Sequence, residues 1–230
     1  MEKDIILNRI HKGLIVSCQA LKDEPLFGSR TMAKMAKAAE EGGAVGIRAN
    51  TVKDIIAIKM VVNLPVIGII KRKYDGYEPY ITPTIKEVEK LISAGADIIA
   101  IDATKELRPG GITAEKFINQ IKKEYNIILM ADISTFHEGV CAEQAGADIV
   151  STTLSGYTSY SLKSSEPDFE LIKRLSMSLN IPVIAEGKIE TPEQAKRCIL
   201  EGAFAVVIGA AITRPQIITK RYADYISEIS

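Results

Sequence analysis

The chain has 230 residues, 47% of them hydrophobic and 25% charged, which suits a soluble globular protein with a sizeable core. Its 29 basic and 29 acidic side chains cancel, so there is no electrostatic footprint for nucleic acid or an anionic membrane surface. The three cysteines, Cys18, Cys141 and Cys198, are widely spaced and outside any CxxC pattern, which argues against a disulfide framework or a thiolate metal site and fits a reducing cytoplasm.

The N-terminal stretch MEKDIILNRIHKG mixes charges with a short apolar segment, unlike a secretory signal, and no later run approaches membrane-spanning length. Val- and Ile-rich segments then recur as LIVSCQ, AVGIRA, VIGIIK, IIAIDA, IILMADIS, IVSTTLS, VIAEGK and AVVIGA. Such near-continuous apolar runs suit strands buried on both faces, as in a parallel sheet. Between them, RTMAKMAKAAEEGG, TIKEVEKLISAGA and TPEQAKRCILEGA read as amphipathic helices. The last of these carries Thr191, Pro192 and Glu193 at its start and Gly202 past its end, the punctuation expected of helix termini.

A repeat supports the alternation. EEGGAVGIRA, SAGADIIAID, QAGADIVSTT and LEGAFAVVIG each place a helix-ending glycine before an apolar strand, about two βα units apart. An open sheet of eight strands would show the same alternation. Units of even length without a linker favour a closed (β/α)8 TIM barrel forming one domain over residues 1–230.

In such a barrel the loops after the strands gather around one mouth, where active sites are built. The strand ends supply Ser17 and Gln19, Arg48, Lys71, Asp102, Asp132 and Ser134, Thr152 and Thr153, Glu186 and Gly209. Taken singly, each also fits a cap, a layer-closing ion pair or a solvated end; their convergence on one mouth is what points to a site. Lys71 follows an apolar strand, so partial burial would lower its pKa toward neutrality, whereas the same environment would raise that of Glu186. A base and an acid brought together in this way could move protons at one carbon centre without a cofactor. The alternative for Lys71 is an exposed cationic turn with Arg72 and Lys73.

The loops after the seventh and eighth strands, EGKI and IGAAITRPQIITKR, stand where phosphate sites occur in these barrels. Gly187 and Gly209 would let the backbone approach phosphate oxygens, and Arg214 could add a charged fork, although turn glycines and a surface arginine would look the same. Tyrosines in GIIKRKYDGYEPYITP could cover a polar ligand or pack on the rim. Ser17-Cys18 has no histidine nearby in sequence, His11 and His137 read as surface or packing residues, and no metal-ligand spacing is present.

The fragments LIVSCQALKDEPL, GIRAN, GIIKRKYD, DATKELRPGG, ADISTFHEG, STTLSGYT, IPVIAEGKIETPEQA and GAAITRPQIITKR, in order over nearly the whole chain, resemble the N-acetylmannosamine-6-phosphate 2-epimerases of bacterial sialic acid catabolism. The resemblance implies a ribulose-phosphate-binding type of barrel that interconverts N-acetylmannosamine 6-phosphate and N-acetylglucosamine 6-phosphate without metal or nucleotide. It makes Lys71 the main acid/base and Glu186 its assistant. It also implies substrate contacts at Gln19, Arg48, Asp132 and Thr153 and a phosphate seat at Gly187, Lys188, Gly209 and Arg214. Lysine at 188 stands where arginine is also familiar, so a backbone contact is the safer expectation there. A homodimer is implied too, with the C-terminal PQIITKRYADYISEI a candidate interface, although its Ile217, Ile218, Tyr222 and Tyr225 equally fit a core. A Schiff-base lyase using Lys71 and a non-catalytic sugar-phosphate sensor are rival uses of the same residues.

Overall fold

The computed structural model describes residues 2–228. The strands β1 (Leu14–Cys18), β2 (Gly46–Asn50), β3 (Val66–Ile69), β4 (Ile98–Asp102), β5 (Ile128–Asp132), β6 (Ile149–Ser151), β7 (Val183–Glu186) and β8 (Ala205–Ile208) pair in parallel, in chain order. The pairing of Ile15 with Val207 returns β8 to β1 and closes the barrel, which excludes the open sheet. Helices α2 (Ser29–Glu41), α3 (Val52–Lys59), α4 (Ile85–Ser93), α5 (Ala114–Glu124), α6 (Phe136–Gln144), α7 (Phe169–Ser178) and α8 (Pro192–Leu200) follow the strands one by one. The short α9 (Ala210–Thr213) and α10 (Pro215–Ser227) follow β8.

The N-terminal stretch forms α1 (Glu2–Ile10), which its mixed composition does not announce. Ile6, Leu7 and Ile10 seat it against the interior cluster of the barrel, at the end opposite the strand C-termini. The ends of α8 follow the sequence expectation: Thr191 accepts a hydrogen bond from Gln194 N, Pro192 opens the helix, and Gly202 follows with φ at +104°.

Side chains alternate between the two sides of each strand. Ile15, Ile67, Ile98, Ile128, Ile149, Ile184 and Val207 fill the interior cluster, whereas Val16, Ile47, Val66, Ile99, Leu129, Val150 and Val183 pack under the helices. The sequence alternation is hidden because both sides are apolar. Counting upward in twos from the interior residues reaches Ser17 and Gln19, Lys71, Asp102, Asp132, Thr153, Glu186 and Gly209. On β2 the side opposite Ile47 and Ala49 holds Gly46, Arg48 and Asn50. The strand parity that builds the core therefore also directs the polar residues into the mouth.

On the outer side, Gly68 leaves room for α3 and α4. A Cβ there would stand 2.8 Å from Ala96 Cβ and 2.9 Å from Ile55 Cδ1, closer than packed carbons approach. Gly68→Ala is expected to lower stability by about 1–3 kcal/mol through overpacking, read as a reduced urea midpoint with an unchanged m-value.

Candidate active site

A cavity of about 350 Å³ opens at the C-terminal end of the barrel. Its wall includes Gln19, Arg48, Lys71, Thr153, Glu186, Gly187, Lys188, Gly209 and Arg214, gathered from β1, β2, the ends of β6 and β7, and the loops after β3, β7 and β8.

Arg48 forms the floor of the charged end and is 1% exposed. Its guanidinium grips Asp132 with Nη2 to Oδ2 at 2.5 Å and Nη1 to Oδ1 at 3.1 Å, and donates through Nη1 to Glu186 Oε2 at 2.6 Å. The Thr153 hydroxyl lies 2.7 Å from Asp132 Oδ1 and 3.1 Å from Glu186 Oε2, within reach of both carboxylates. A pair of bonds between Thr152 Oγ1 and the backbone of Glu186, to O and from N, locks β6 to β7 just above it.

This network has one cation for two carboxylates. Burial opposes the charge of Arg48, and the two carboxylates overcome that penalty, holding it protonated above the ordinary arginine range. Burial, with the like charge of Asp132 added and Arg48 opposing, pushes the Glu186 carboxyl up to about 7. Burial pushes Lys71 the other way, to about 8, and the nearby cations Arg48 and Arg214 add to the shift while Glu186 and Asp132 resist it.

Lys71 lies just beyond β3 in a loop folded back on itself. Its N–H donates to Asn50 Oδ1 at 2.9 Å, and a bridge pairs it with Ile81. Of the sequence KRK, Lys71 is half-buried in the cavity wall while Arg72 and Lys73 are exposed, so the cationic turn describes only the latter two. Tyr80 returns along the same loop to line the cavity, whereas the Tyr74 hydroxyl donates to Glu87.

At the opposite end, Gly187 has φ at +105° and the following Lys188 also enters the left-handed region, at +58°. This double turn brings the backbone of the β7 loop to the cavity and lays the Lys188 amine 5.1 Å above the Tyr157 ring. Arg214 is held bidentate by Glu24, Nε to Oε1 at 2.5 Å and Nη2 to Oε2 at 3.2 Å. Gln19, a residue of the cavity wall, donates to Ser17 Oγ at 2.8 Å, while its Oε1 is buried without a protein partner.

Three expectations require correction. Asp132 is fully buried behind Arg48 and Thr153, so it reaches the cavity only through them. Asp102 and Ser134 do not line the cavity: Asp102 accepts from the Thr104 backbone N–H and hydroxyl, and the Ser134 hydroxyl donates to the Glu138 carboxylate. The apolar residues of α10 are not core, with Tyr222 71% and Tyr225 75% exposed; the last residue of the expected interface stretch, Ile229, lies outside the described residues. Tyr157, Glu190 and Arg221 also line the cavity. Sequence reading missed them because they lie beyond the strand ends, where no periodicity marks direction.

Cys18 is buried and its thiol is pushed up to about 12, which leaves it inert beside Ser17. His11 stacks on Phe204, away from the mouth. Among the described residues no group of three or more His, Cys, Asp or Glu side chains could hold a metal ion, and no helix is long and apolar enough to cross a membrane.

The family model described as "Putative N-acetylmannosamine-6-phosphate epimerase" matches residues 32–228. A protein of Caldanaerobacter subterraneus subsp. tengcongensis, named as an N-acetylmannosamine-6-phosphate 2-epimerase of the same standing, is 58% identical over 229 residues, covering 99% of this chain and 96% of the relative. A Borreliella afzelii protein of the same name is 48% identical, covering 98% and 99%. The solved N-acetylmannosamine-6-phosphate 2-epimerase from Clostridium perfringens superposes with a TM-score of 0.92 at 52% identity, covering 95% of both chains. A thiamine phosphate pyrophosphorylase from Pyrococcus furiosus, at TM-score 0.60 and 17% identity over 90% of this chain and 89% of that one, shares the fold alone. With the family model spanning most of the barrel and such relatives matching from end to end, the chain belongs to the N-acetylmannosamine-6-phosphate epimerase family.

Proposed function

We propose that the protein epimerises N-acetylmannosamine 6-phosphate and N-acetylglucosamine 6-phosphate at C2, within sialic acid degradation in the cytoplasm. The observation that carries the mechanism is the pairing, in one cavity, of a lysine whose pKa is lowered and a glutamate whose pKa is raised.

Epimerisation removes the proton alpha to the C1 aldehyde of the open-chain sugar and returns one to the opposite face. Lys71 takes the C2 proton in its neutral form. Glu186 handles the complementary proton, at ring opening or at the other face of C2. With Arg48 and Asp132 cancelling each other, one proton shared by Lys71 and Glu186 keeps the cluster neutral whichever of them holds it. Proton transfer then costs no net buried charge. The Arg48 guanidinium and the Gln19 amide front the reacting end, where donors would stabilise the enolate oxygen. Asp132 and Thr153 act as positioning residues that fix Arg48 and Glu186. Gly187, Lys188, Gly209 and Arg214 hold the 6-phosphate at the far end, through backbone N–H groups and charged side chains.

In deuterium oxide either sugar phosphate is expected to acquire solvent deuterium at C2 on epimerisation, followed by NMR; epimerised product without label would refute exchange through a solvent-equilibrated base. Lys71→Ala should lower kcat by about 10²–10⁴-fold, the usual worth of one general acid/base, with KM changing far less.

Well below pH 7 both Lys71 and Glu186 are protonated and no base is available; well above pH 8 both are deprotonated and the complementary acid is lost. A bell-shaped kcat/KM is expected, its limbs belonging to the pair and not to either residue alone. The charge of Asp132 raises both values, so Asp132→Asn should move both limbs to lower pH; a profile that stays in place would remove Asp132 from the network.

We also propose a homodimer through α10. The helix has no buried residue, and Ile217, Tyr222, Tyr225 and Ile226 are 37%, 71%, 75% and 65% exposed, more apolar surface than a lone helix ordinarily leaves in water. Light scattering should give twice the chain mass, and Tyr222→Glu with Tyr225→Glu should halve it; a monomeric wild type would refute the dimer.

A further inference from the structure

The cavity wall carries more cations than carboxylates. It holds Arg48, Lys71, Lys188, Arg214 and Arg221 against the carboxylates of Glu186 and Glu190. Four of the five cations already have a part in the mechanism above. Arg221 has none, and it does not come from the barrel: it projects from the middle of α10, a helix that buries none of its own residues.

Arg221 is nevertheless held in place. Its Nη2 donates to Glu190 Oε1, in the loop that follows Gly187 and Lys188. Two other side chains at the start of the helix, Arg214 and Gln216, both donate to Glu24 of the loop after β1. Arg214 and Arg221 thus stand along one side of α10, each braced by a carboxylate from a different barrel loop, and both line the same cavity.

This bracing is what a phosphate fork requires. A guanidinium carries five N–H donors, and one bond to a carboxylate leaves the remainder free to meet a dianion. The brace also limits the rotamer entropy lost on binding. Glu190 alone would repel a phosphate at this end of the cavity, and Arg221 cancels that charge where it matters. Stability does not account for the pair: its side chains are 39% and 46% exposed, and solvated ion pairs of that kind contribute little.

We propose that Arg221 is a phosphate-binding residue of the active site, a second arginine fork that α10 supplies beside Arg214 and that selects for the phosphorylated sugar. This inference rests on the phosphate seat proposed above at Gly187, Lys188, Gly209 and Arg214, and extends it to a residue outside the barrel loops. It makes the C-terminal helix part of the substrate site as well as a candidate interface.

The test measures steady-state epimerisation and competitive inhibition by inorganic phosphate for the full-length wild type, Arg221→Gln, Arg221→Lys and Arg214→Gln. Loss of one charge-assisted contact predicts that Arg221→Gln raises both KM and the phosphate inhibition constant about tenfold or more, with kcat within about twofold. Arg221→Lys, which keeps the charge and loses the fork, should fall between wild type and Arg221→Gln. A merely structural role would instead lower kcat or the melting temperature without a selective rise in the phosphate constant, and that result would overturn the proposal. An Arg221→Gln enzyme with wild-type constants, beside an Arg214→Gln enzyme with raised ones, would overturn it while leaving the phosphate seat standing. A wild type that inorganic phosphate does not inhibit at tens of millimolar would overturn both.

Discussion

A single buried guanidinium underlies the organisation of the barrel mouth. Arg48 sits at 1% exposure with two carboxylates on it, and removing one partner of such a buried pair typically costs about 3–5 kcal/mol because the other charge is stranded. The strands that supply the three groups, β2, β5 and β7, are not neighbours in the sheet. The ion cluster therefore ties together parts of the barrel that no hydrogen-bond ladder connects, and its geometry depends on the closed sheet as a whole.

Burial at the same place raises the Glu186 carboxyl and lowers the Lys71 amine, and the charges around Arg48 modify both. Two carboxylates sharing one cation leave an excess negative charge in a poorly solvated place, and the cheapest correction is a proton on Glu186 or a charged Lys71 nearby. Neither shift requires an unusual group. Burial drives both, with Asp132 adding to the rise of Glu186 and with Arg48 and Arg214 adding to the fall of Lys71 while the two carboxylates resist it.

The two ends of the cavity are built differently. The end that holds Arg48, Lys71 and Glu186 is made of strand residues and their immediate successors, whose directions are fixed by the pleat, which suits groups that must be placed to within a fraction of an ångström. The far end is made of loop backbone in left-handed conformations at Gly187 and Lys188, and of arginines braced by Glu24 and Glu190. Such an arrangement can close on a charged group whose exact orientation matters less than its anchoring.

Most of the barrel was legible in the sequence because parallel strands buried on both faces write themselves as short apolar runs, and because Gly95, Gly146 and Gly202 recur where helices end, each with positive φ. Lys71 and Glu186 were legible for the same reason: an ionisable residue that ends an apolar run has to point somewhere, and strand parity points both inward. Local sequence holds no comparable signal for α1 beneath the barrel, for the withdrawal of Asp132 behind Arg48, or for Tyr157 and Arg221 at the cavity wall. Those depend on which residues meet across long stretches of chain, 84 positions for Arg48 and Asp132 and 31 for Arg221 and Glu190, and only the closed sheet and its loops decide it. The alternation, the core and the chemistry available at each strand end are written in the residue pattern; that Lys71, Asp132 and Glu186 share the field of Arg48 is a product of the folded barrel, because electrostatic coupling is set by distance in space and by exclusion of water, neither of which is written in chain order.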